Sequence, residues 1–100
     1  PYQDMDSYSA LHLYPIQIQT DRVKNTRKEI FEALRKNDIG VNVHYIPVHT
    51  QPYYENIGFK RGDFPNAESY YESAISIPLF HIMTFEQQDQ VITALEKVLK

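Results

Sequence analysis

The hydrophobic pattern alternates with a period of two in two segments of the chain, which predicts strands there. In Ser9–Ile18 three apolar side chains alternate with polar ones, and Pro15 removes a backbone donor, so we expect an edge strand. In Val41–Ile46 the same alternation places His44 on the face opposite the apolar set. A short apolar run, Ala74–Leu79, predicts a third, buried strand.

Three other segments show helical spacing together with recognisable start signals. Thr26 opens a capping-box pattern with the glutamate three residues later, and we expect the helix that follows to stop at Gly40 with a positive φ. The segment Pro65–Ser73 begins with a proline, which is favoured at the first helical position. A second capping box at Thr84 predicts a closing helix with an apolar stripe of Val91, Ile92, Leu95, Val98 and Leu99.

The order of these elements is strand, helix, strand, loop, helix, strand, helix. It predicts an α+β fold, a two-layer α/β arrangement in which a small antiparallel or mixed sheet has its helices mainly on one face. The connection Pro47–Asp63 is longer than a compact domain usually contains without a functional role, with Gly58 and Gly62 as its flexible points. We therefore expect this aromatic connection to contact a ligand or a partner.

Composition excludes several classes of function. Ten basic residues are scattered among thirteen acidic ones, with a net charge of −3, so no basic face is available for nucleic acid. No apolar run approaches the roughly 20 residues of a membrane span, and no signal-peptide pattern opens the chain. There is no cysteine, hence no disulfide framework. We expect one cytoplasmic domain that binds neither nucleic acid nor membrane, and the start at Pro1 agrees with an excised piece.

Two histidines and two tyrosines near the end of the second predicted strand are the candidate binding residues. His44 and His49 could ligate a metal, but no third ligand has convincing spacing, so we assign no metal site. For His44 we weigh contact with a ligand or partner domain against a structural role. Tyr53 and Tyr54 could stack on a base or sugar, although an interface is the favoured interpretation.

The cations do not indicate a catalytic lysine. A Schiff-base lysine needs a desolvated pocket that lowers its pKa, and every lysine here lies on a polar helix face or in a loop. Lys60 and Arg61 could hold a phosphate, but adjacent loop cations are usually solvated, and Asp63 would neutralise that corner. His12 and His81 are expected to serve in polar packing. We assign no catalytic and no cofactor-binding residue.

Four ordered segments resemble the DegT/DnrJ/StrS family of sugar aminotransferases, namely Gly40–His49, Gln51–Tyr54, Phe64–Glu68 and Ser76–Leu79 with the closing helix. Together they span nearly the whole chain. The stretch His44–Tyr54 looks most like family members that aminate a UDP-4-keto-6-deoxy-N-acetyl sugar on the pathway to pseudaminic acid.

The resemblance implies that residues 1–100 form the C-terminal small domain of an enzyme with the aspartate-aminotransferase fold, PLP fold type I. The large domain, with the Schiff-base lysine and most phosphate contacts, would lie outside this chain. Pyridoxal phosphate would be the cofactor of the full-length enzyme, with none bound by this chain alone. Glutamate would donate the amino group to a 4-keto nucleotide sugar, in a homodimer, and the isolated chain would be inactive.

The resemblance also implies roles for the candidate residues. His44 and Tyr45 would face the nucleotide-sugar cleft, whereas His49, Tyr53 and Tyr54 would line its mouth or a dimer contact. The alternative is a free-standing interaction module whose aromatic loop, residues 47–63, docks a peptide or a partner subunit.

Overall fold

The computed structural model of the protein describes residues 3–100. Its elements in chain order are β1 (Tyr14–Gln17), α1 (Arg27–Lys36), a 3-10 turn (Val48–Thr50), α2 (Pro52–Asn56), α3 (Pro65–Ser73), β2 (Ala74–Ile77) and α4 (Phe85–Val98). Strand β2 pairs antiparallel with β1, and on its other edge Ser76 forms an isolated bridge with Asn42. This small antiparallel sheet with packed helices confirms the predicted α+β class.

The strands are shorter than the hydrophobic pattern indicates. Strand β1 covers only the end of Ser9–Ile18, because the next position of the register would place Leu13 opposite Pro78, which has no amide donor. The prediction of a strand at Val41–Ile46 is wrong, since only Asn42 exchanges backbone hydrogen bonds with β2. After Asn42, the chain contacts β2 through the side chain of His44. The alternation of apolar and polar residues therefore indicates burial and not backbone pairing between strands.

Helix α1 begins as predicted and ends earlier than predicted. Thr26 Oγ1 accepts the Glu29 amide at 3.3 Å, and Glu29 Oε2 accepts the Thr26 amide at 2.8 Å, which completes the capping box. The positive φ expected at Gly40 occurs at Asp38, with φ 59°. The amide of Ile39 then bonds to the Leu34 carbonyl at 3.0 Å, so an earlier stop lets Ile39 reach the core.

The two later helices follow the sequence closely. Helix α3 has Pro65 in its first turn, and α4 has a complete capping box between Thr84 and Gln87. The predicted stripe of α4 is wrong at one position, because Ile92 is 46% exposed and Ala94 is buried instead. The small Ala94 side chain is part of the buried core, where α4 contacts α1.

The core lies between α1, α4 and β2, and α1 contacts both of the other elements. Its buried apolar members are Ile18, Ile30, Leu34, Ile39, Val41, Ile75, Val91, Ala94 and Val98. The connection Pro47–Asp63 is more regular than predicted, because it contains the 3-10 turn and α2. Among residues 3–100, no helix has the length and apolar character that crossing a membrane requires.

Candidate functional site

His44 is fixed to strand β2 by its side chain. Its Nδ1 lies 2.8 Å from Ser76 Oγ, and Ser76 is buried in β2. Within the described part of the chain, Nε2 of His44 has no hydrogen-bond partner, and no buried side-chain nitrogen or oxygen lacks one, so Nε2 reaches solvent. Tyr45 packs edge-on against the imidazole at 4.6 Å and is 71% exposed. The pair therefore presents a polar nitrogen beside an open aromatic ring.

A cavity of about 440 Å³ lies beside His44, between β2 and the start of α4. Its lining combines apolar residues, among them the stretch from Ile77 to Phe80, with polar side chains. These polar side chains are Asp38, Asn42, His44, Ser76, Gln87 and Gln90. Such a mixture of apolar surface and a few hydrogen-bonding groups is typical of small-molecule sites.

His49 lies in a different environment. It is only 6% exposed, its Nε2 is 2.7 Å from Glu68 Oε1, and its ring packs on Phe64 at 4.9 Å. The same Glu68 oxygen accepts the amide of Gly62 at 2.7 Å. The hydrogen bond from His49, and after it the bond from Gly62, holds the pKa of the Glu68 carboxyl below its ordinary value.

Four aromatic side chains, Tyr53, Tyr54, Phe59 and Phe64, form a continuous surface that we name the aromatic rim. The rings of Tyr53 and Tyr54 pack edge-on with their centroids 5.3 Å apart. The ring centroids of Tyr54 and Phe59 are 6.2 Å apart, and those of Phe59 and Phe64 are 6.1 Å apart. Tyr54, Phe59 and Phe64, together with His49, also line an apolar cavity of about 290 Å³. Tyr53 is 68% exposed, so its face is available to a flat or apolar partner.

The five predicted site residues therefore form two groups. His44 lines the cavity of about 440 Å³ and Tyr45 packs on the His44 ring, whereas His49 packs against the aromatic rim that contains Tyr53 and Tyr54. The two histidines have different partners, and among residues 3–100 no group of three or more His, Cys, Asp or Glu side chains is arranged to hold a metal ion.

Sequence reasoning missed the residues that orient both histidines. Ser76 is the single polar side chain in the buried strand β2, which is a usable signal because a buried hydroxyl needs a partner. Glu68, in the first turn of α3, is easily interpreted as a charge that complements the helix dipole. Only its contact with a residue nineteen positions earlier reveals its role.

The described residues do not fit the attachment of pyridoxal phosphate. All six lysines are exposed, so the desolvated environment that a Schiff-base lysine needs is missing from residues 3–100.

Asp63 Oδ2 accepts the Lys60 amide at 2.9 Å, as expected of a residue that caps this corner. The predicted packing of His12 and His81 is wrong, because both side chains are exposed.

Comparison with known proteins gives one consistent family. The DegT/DnrJ/EryC1/StrS aminotransferase family profile matches residues 1–96. The uncharacterized protein MJ1066 of Methanocaldococcus jannaschii is 45% identical over 91 residues, which cover 90% of this chain and 24% of that protein. The spore coat polysaccharide biosynthesis protein SpsC of Bacillus subtilis is 40% identical over 102 residues, covering all of this chain and 26% of SpsC.

Solved structures agree with these sequence relatives. Helicobacter pylori PseC, an aminotransferase involved in the biosynthesis of pseudoaminic acid, superimposes with a TM-score of 0.79 and 27% identity over 88% of this chain and 23% of PseC. The Streptococcus pneumoniae protein Spr1654, described as a candidate sugar aminotransferase, matches in its PLP form with a TM-score of 0.73 and 32% identity, over 89% of this chain and 24% of that protein. The chain spans about a quarter of the length of the relatives it matches.

Proposed function

Because the chain belongs to the DegT/DnrJ/EryC1/StrS aminotransferase family, we propose that it is the C-terminal small domain, residues 1–100, of an enzyme that transfers an amino group from glutamate to a 4-keto nucleotide sugar. The family match over residues 1–96 is the observation that carries this proposal. The roles of SpsC in polysaccharide biosynthesis and of PseC in pseudoaminic acid biosynthesis support a sugar acceptor. The resemblance of His44–Tyr54 to family members of the pseudaminic acid pathway favours a UDP-4-keto-6-deoxy-N-acetyl sugar as the substrate.

Pyridoxal phosphate is the cofactor of the full-length enzyme, and it supplies the electron sink for the amino transfer when bound. The residues described here contribute to substrate binding. His44 has Nδ1 engaged by Ser76, which leaves Nε2 to hydrogen-bond a hydroxyl or phosphate oxygen of the nucleotide sugar. The exposed Tyr45 ring next to it provides apolar contact for the sugar or base.

The aromatic rim forms the mouth of the same cleft in this proposal. Tyr53 and Tyr54 would stack against the base or the sugar, and His49, which lines the apolar cavity together with Tyr54, would support them. The structure gives Nε2 of His49 another partner, Glu68. Direct contact of His49 with the substrate therefore stays a prediction.

The remaining proposals concern the whole protein. We expect a homodimer, because large apolar side chains such as Val48 and Ile57 are exposed and suit an interface. We also expect the full-length enzyme to be cytoplasmic. We expect the hundred residues alone to be inactive, because none of their lysines is buried.

The proposal is tested by giving the native full-length protein glutamate, pyridoxal phosphate and a panel of nucleotide sugars. We expect amino-sugar product, detected by mass spectrometry, from UDP-4-keto-6-deoxy-N-acetyl sugars and none from the matched 4-hydroxy sugars. The isolated hundred residues serve as the matched control and should give none. A full-length protein that aminates no keto sugar, but captures a peptide or partner on residues 47–63, would support the interaction module instead.

A further inference from the structure

One carboxylate oxygen joins two segments that are distant in the sequence. Oε1 of Glu68 lies 2.7 Å from Nε2 of His49 and also accepts the amide of Gly62 at 2.7 Å. His49 belongs to the 3-10 turn after the second predicted strand, and Gly62 lies in the loop before α3, with φ 93°. We name this arrangement the His49–Glu68–Gly62 clamp.

The segments that the clamp joins carry the aromatic rim. Phe64, two residues after Gly62, packs on the His49 ring at 4.9 Å, and Phe59 packs on Phe64 at 6.1 Å. Phe59 in turn contacts Tyr54 of α2. A displacement of either end of the clamp would therefore move the ring faces of the rim.

His49 is the side chain that engages Glu68 within the clamp. Arg61, Tyr71 and Glu72 line a small cavity beside Glu68, yet within the described residues the side chain that hydrogen-bonds Glu68 is that of His49. The Glu68 side chain is 16% exposed and that of His49 only 6%, so solvent screens this contact weakly. Nearly buried hydrogen bonds to a carboxylate are stronger than neutral ones and hold their partners in fixed positions.

We propose that Glu68 is a positioning residue for substrate binding, which holds His49 and Gly62 so that the aromatic rim presents its ring faces to the planar base of a nucleoside diphosphate sugar. This inference rests on the proposed function. Every nucleobase stacks on aromatic side chains to a similar extent. The contribution of the rim to the affinity for the substrate therefore depends on how its rings are oriented. Glu68 acts through the rim and does not touch the reacting atoms.

The test compares Glu68→Ala, Glu68→Gln and Glu72→Ala in the full-length enzyme. Glu72 lies one turn further along α3 and is exposed, so its substitution matches the loss of charge without loss of the clamp. For Glu68→Ala we expect the KM for the nucleotide sugar to rise about tenfold, with kcat and the KM for glutamate changing less than about twofold. Glu68→Gln should restore most of the affinity, since its amide oxygen can accept both hydrogen bonds.

Other outcomes contradict the inference. An unchanged sugar KM in Glu68→Ala, or equal losses in kcat and both KM values, would show that Glu68 does not position the rim. If Glu68→Ala does not fold, His49→Ala breaks the clamp from its other end and must raise the sugar KM in the same way.

A second measurement separates the clamp from the proposed function. Hydrogen exchange of the Gly62 amide should be faster in Glu68→Ala than in the wild type or in Glu72→Ala, because the carboxylate no longer accepts it. Equal exchange in all three proteins overturns the clamp. If the wild type aminates no nucleotide sugar, the proposed function fails, while this exchange experiment still decides whether Glu68 fixes the loop.

Discussion

The imidazole of His44 and the hydroxyl of Ser76 are hydrogen-bonded at 2.8 Å, which attaches the candidate substrate-binding side chain to the buried strand β2. Ser76 also exchanges both backbone hydrogen bonds with Asn42. A single residue of β2 thus fixes the backbone before His44 and the ring of His44 itself. The orientation of Nε2 toward solvent follows from this double attachment.

Removal of the Ser76 hydroxyl should therefore weaken both substrate binding and stability. For Ser76→Ala we expect a loss of about 1 kcal/mol in the free energy of unfolding. We expect a rise of about three- to tenfold in the KM for the nucleotide sugar, because the His44 ring is no longer oriented. Urea unfolding and steady-state kinetics measure the two effects. Ser69→Ala, at an exposed position of α3, is the matched control, and equal effects in both variants would contradict the assignment.

Leu34 tests the position of the core. Its side chain is completely buried in the core beneath α1. Leu34→Ala should therefore lower the free energy of unfolding by about 2–5 kcal/mol. Ile92→Ala removes an apolar side chain that is 46% exposed, and it should cost less than about 1 kcal/mol. Urea denaturation of the two variants checks this difference. A larger loss of unfolding free energy for Ile92→Ala than for Leu34→Ala would show that Ile92 is buried, as the sequence predicts.

The end of α1 gives a test of backbone conformation. Asp38 has φ 59°, a conformation that glycine adopts without a steric penalty, so Asp38→Gly should be neutral or stabilising by up to about 1 kcal/mol. Gly40 does not have a positive φ, and a methyl group there would contact nothing within 4 Å. Gly40→Ala should therefore be tolerated, with thermal unfolding as the measurement. A strong destabilisation by Gly40→Ala would place the helix stop at Gly40 after all.

The Glu68 carboxyl gives a pH dependence with a defined sign. Its pKa lies below the ordinary value of 4.5, chiefly because His49 and then Gly62 hydrogen-bond the charged form. A lowered pKa in the folded state means that this group stabilises the fold fully above pH 4.5, and that the contribution is lost as the pH falls through the folded pKa.

The comparison that tests this sign is thermal unfolding of the wild type and Glu68→Gln between neutral pH and pH 3. The wild type should be the more stable protein at neutral pH, and the two melting temperatures should converge on acidification. Glu72→Gln controls for removal of a charge on the same helix. A difference between wild type and Glu68→Gln that grows toward low pH would contradict the assignment.

The parts of the fold that sequence predicts well are those determined by local chemistry. The capping boxes at Thr26 and Thr84 and the proline start of α3 depend on residues three or four apart, and all three are confirmed. The extent of the strands is not local. It depends on which partner offers backbone groups, so the alternation at Val41–Ile46 indicates burial and yields only one bridge.

The candidate site shows the same division. The aromatic connection was identified from composition and length, and the exposed Tyr45 and Tyr53 lie where a ligand can reach them. The attachments of His44 to Ser76 and of His49 to Glu68 join residues 32 and 19 positions apart, and only the tertiary structure brings them together. The pattern of the sequence therefore indicates which side chains are exposed, and the fold decides which are held in place.

The central claim, that this chain is part of a sugar aminotransferase, is tested most directly by the visible absorption spectrum of the native full-length protein. We predict a band from bound pyridoxal phosphate that disappears on addition of glutamate and returns on addition of a 4-keto nucleotide sugar. A colourless protein that pyridoxal phosphate does not restore, or a band that glutamate leaves unchanged, would contradict the claim.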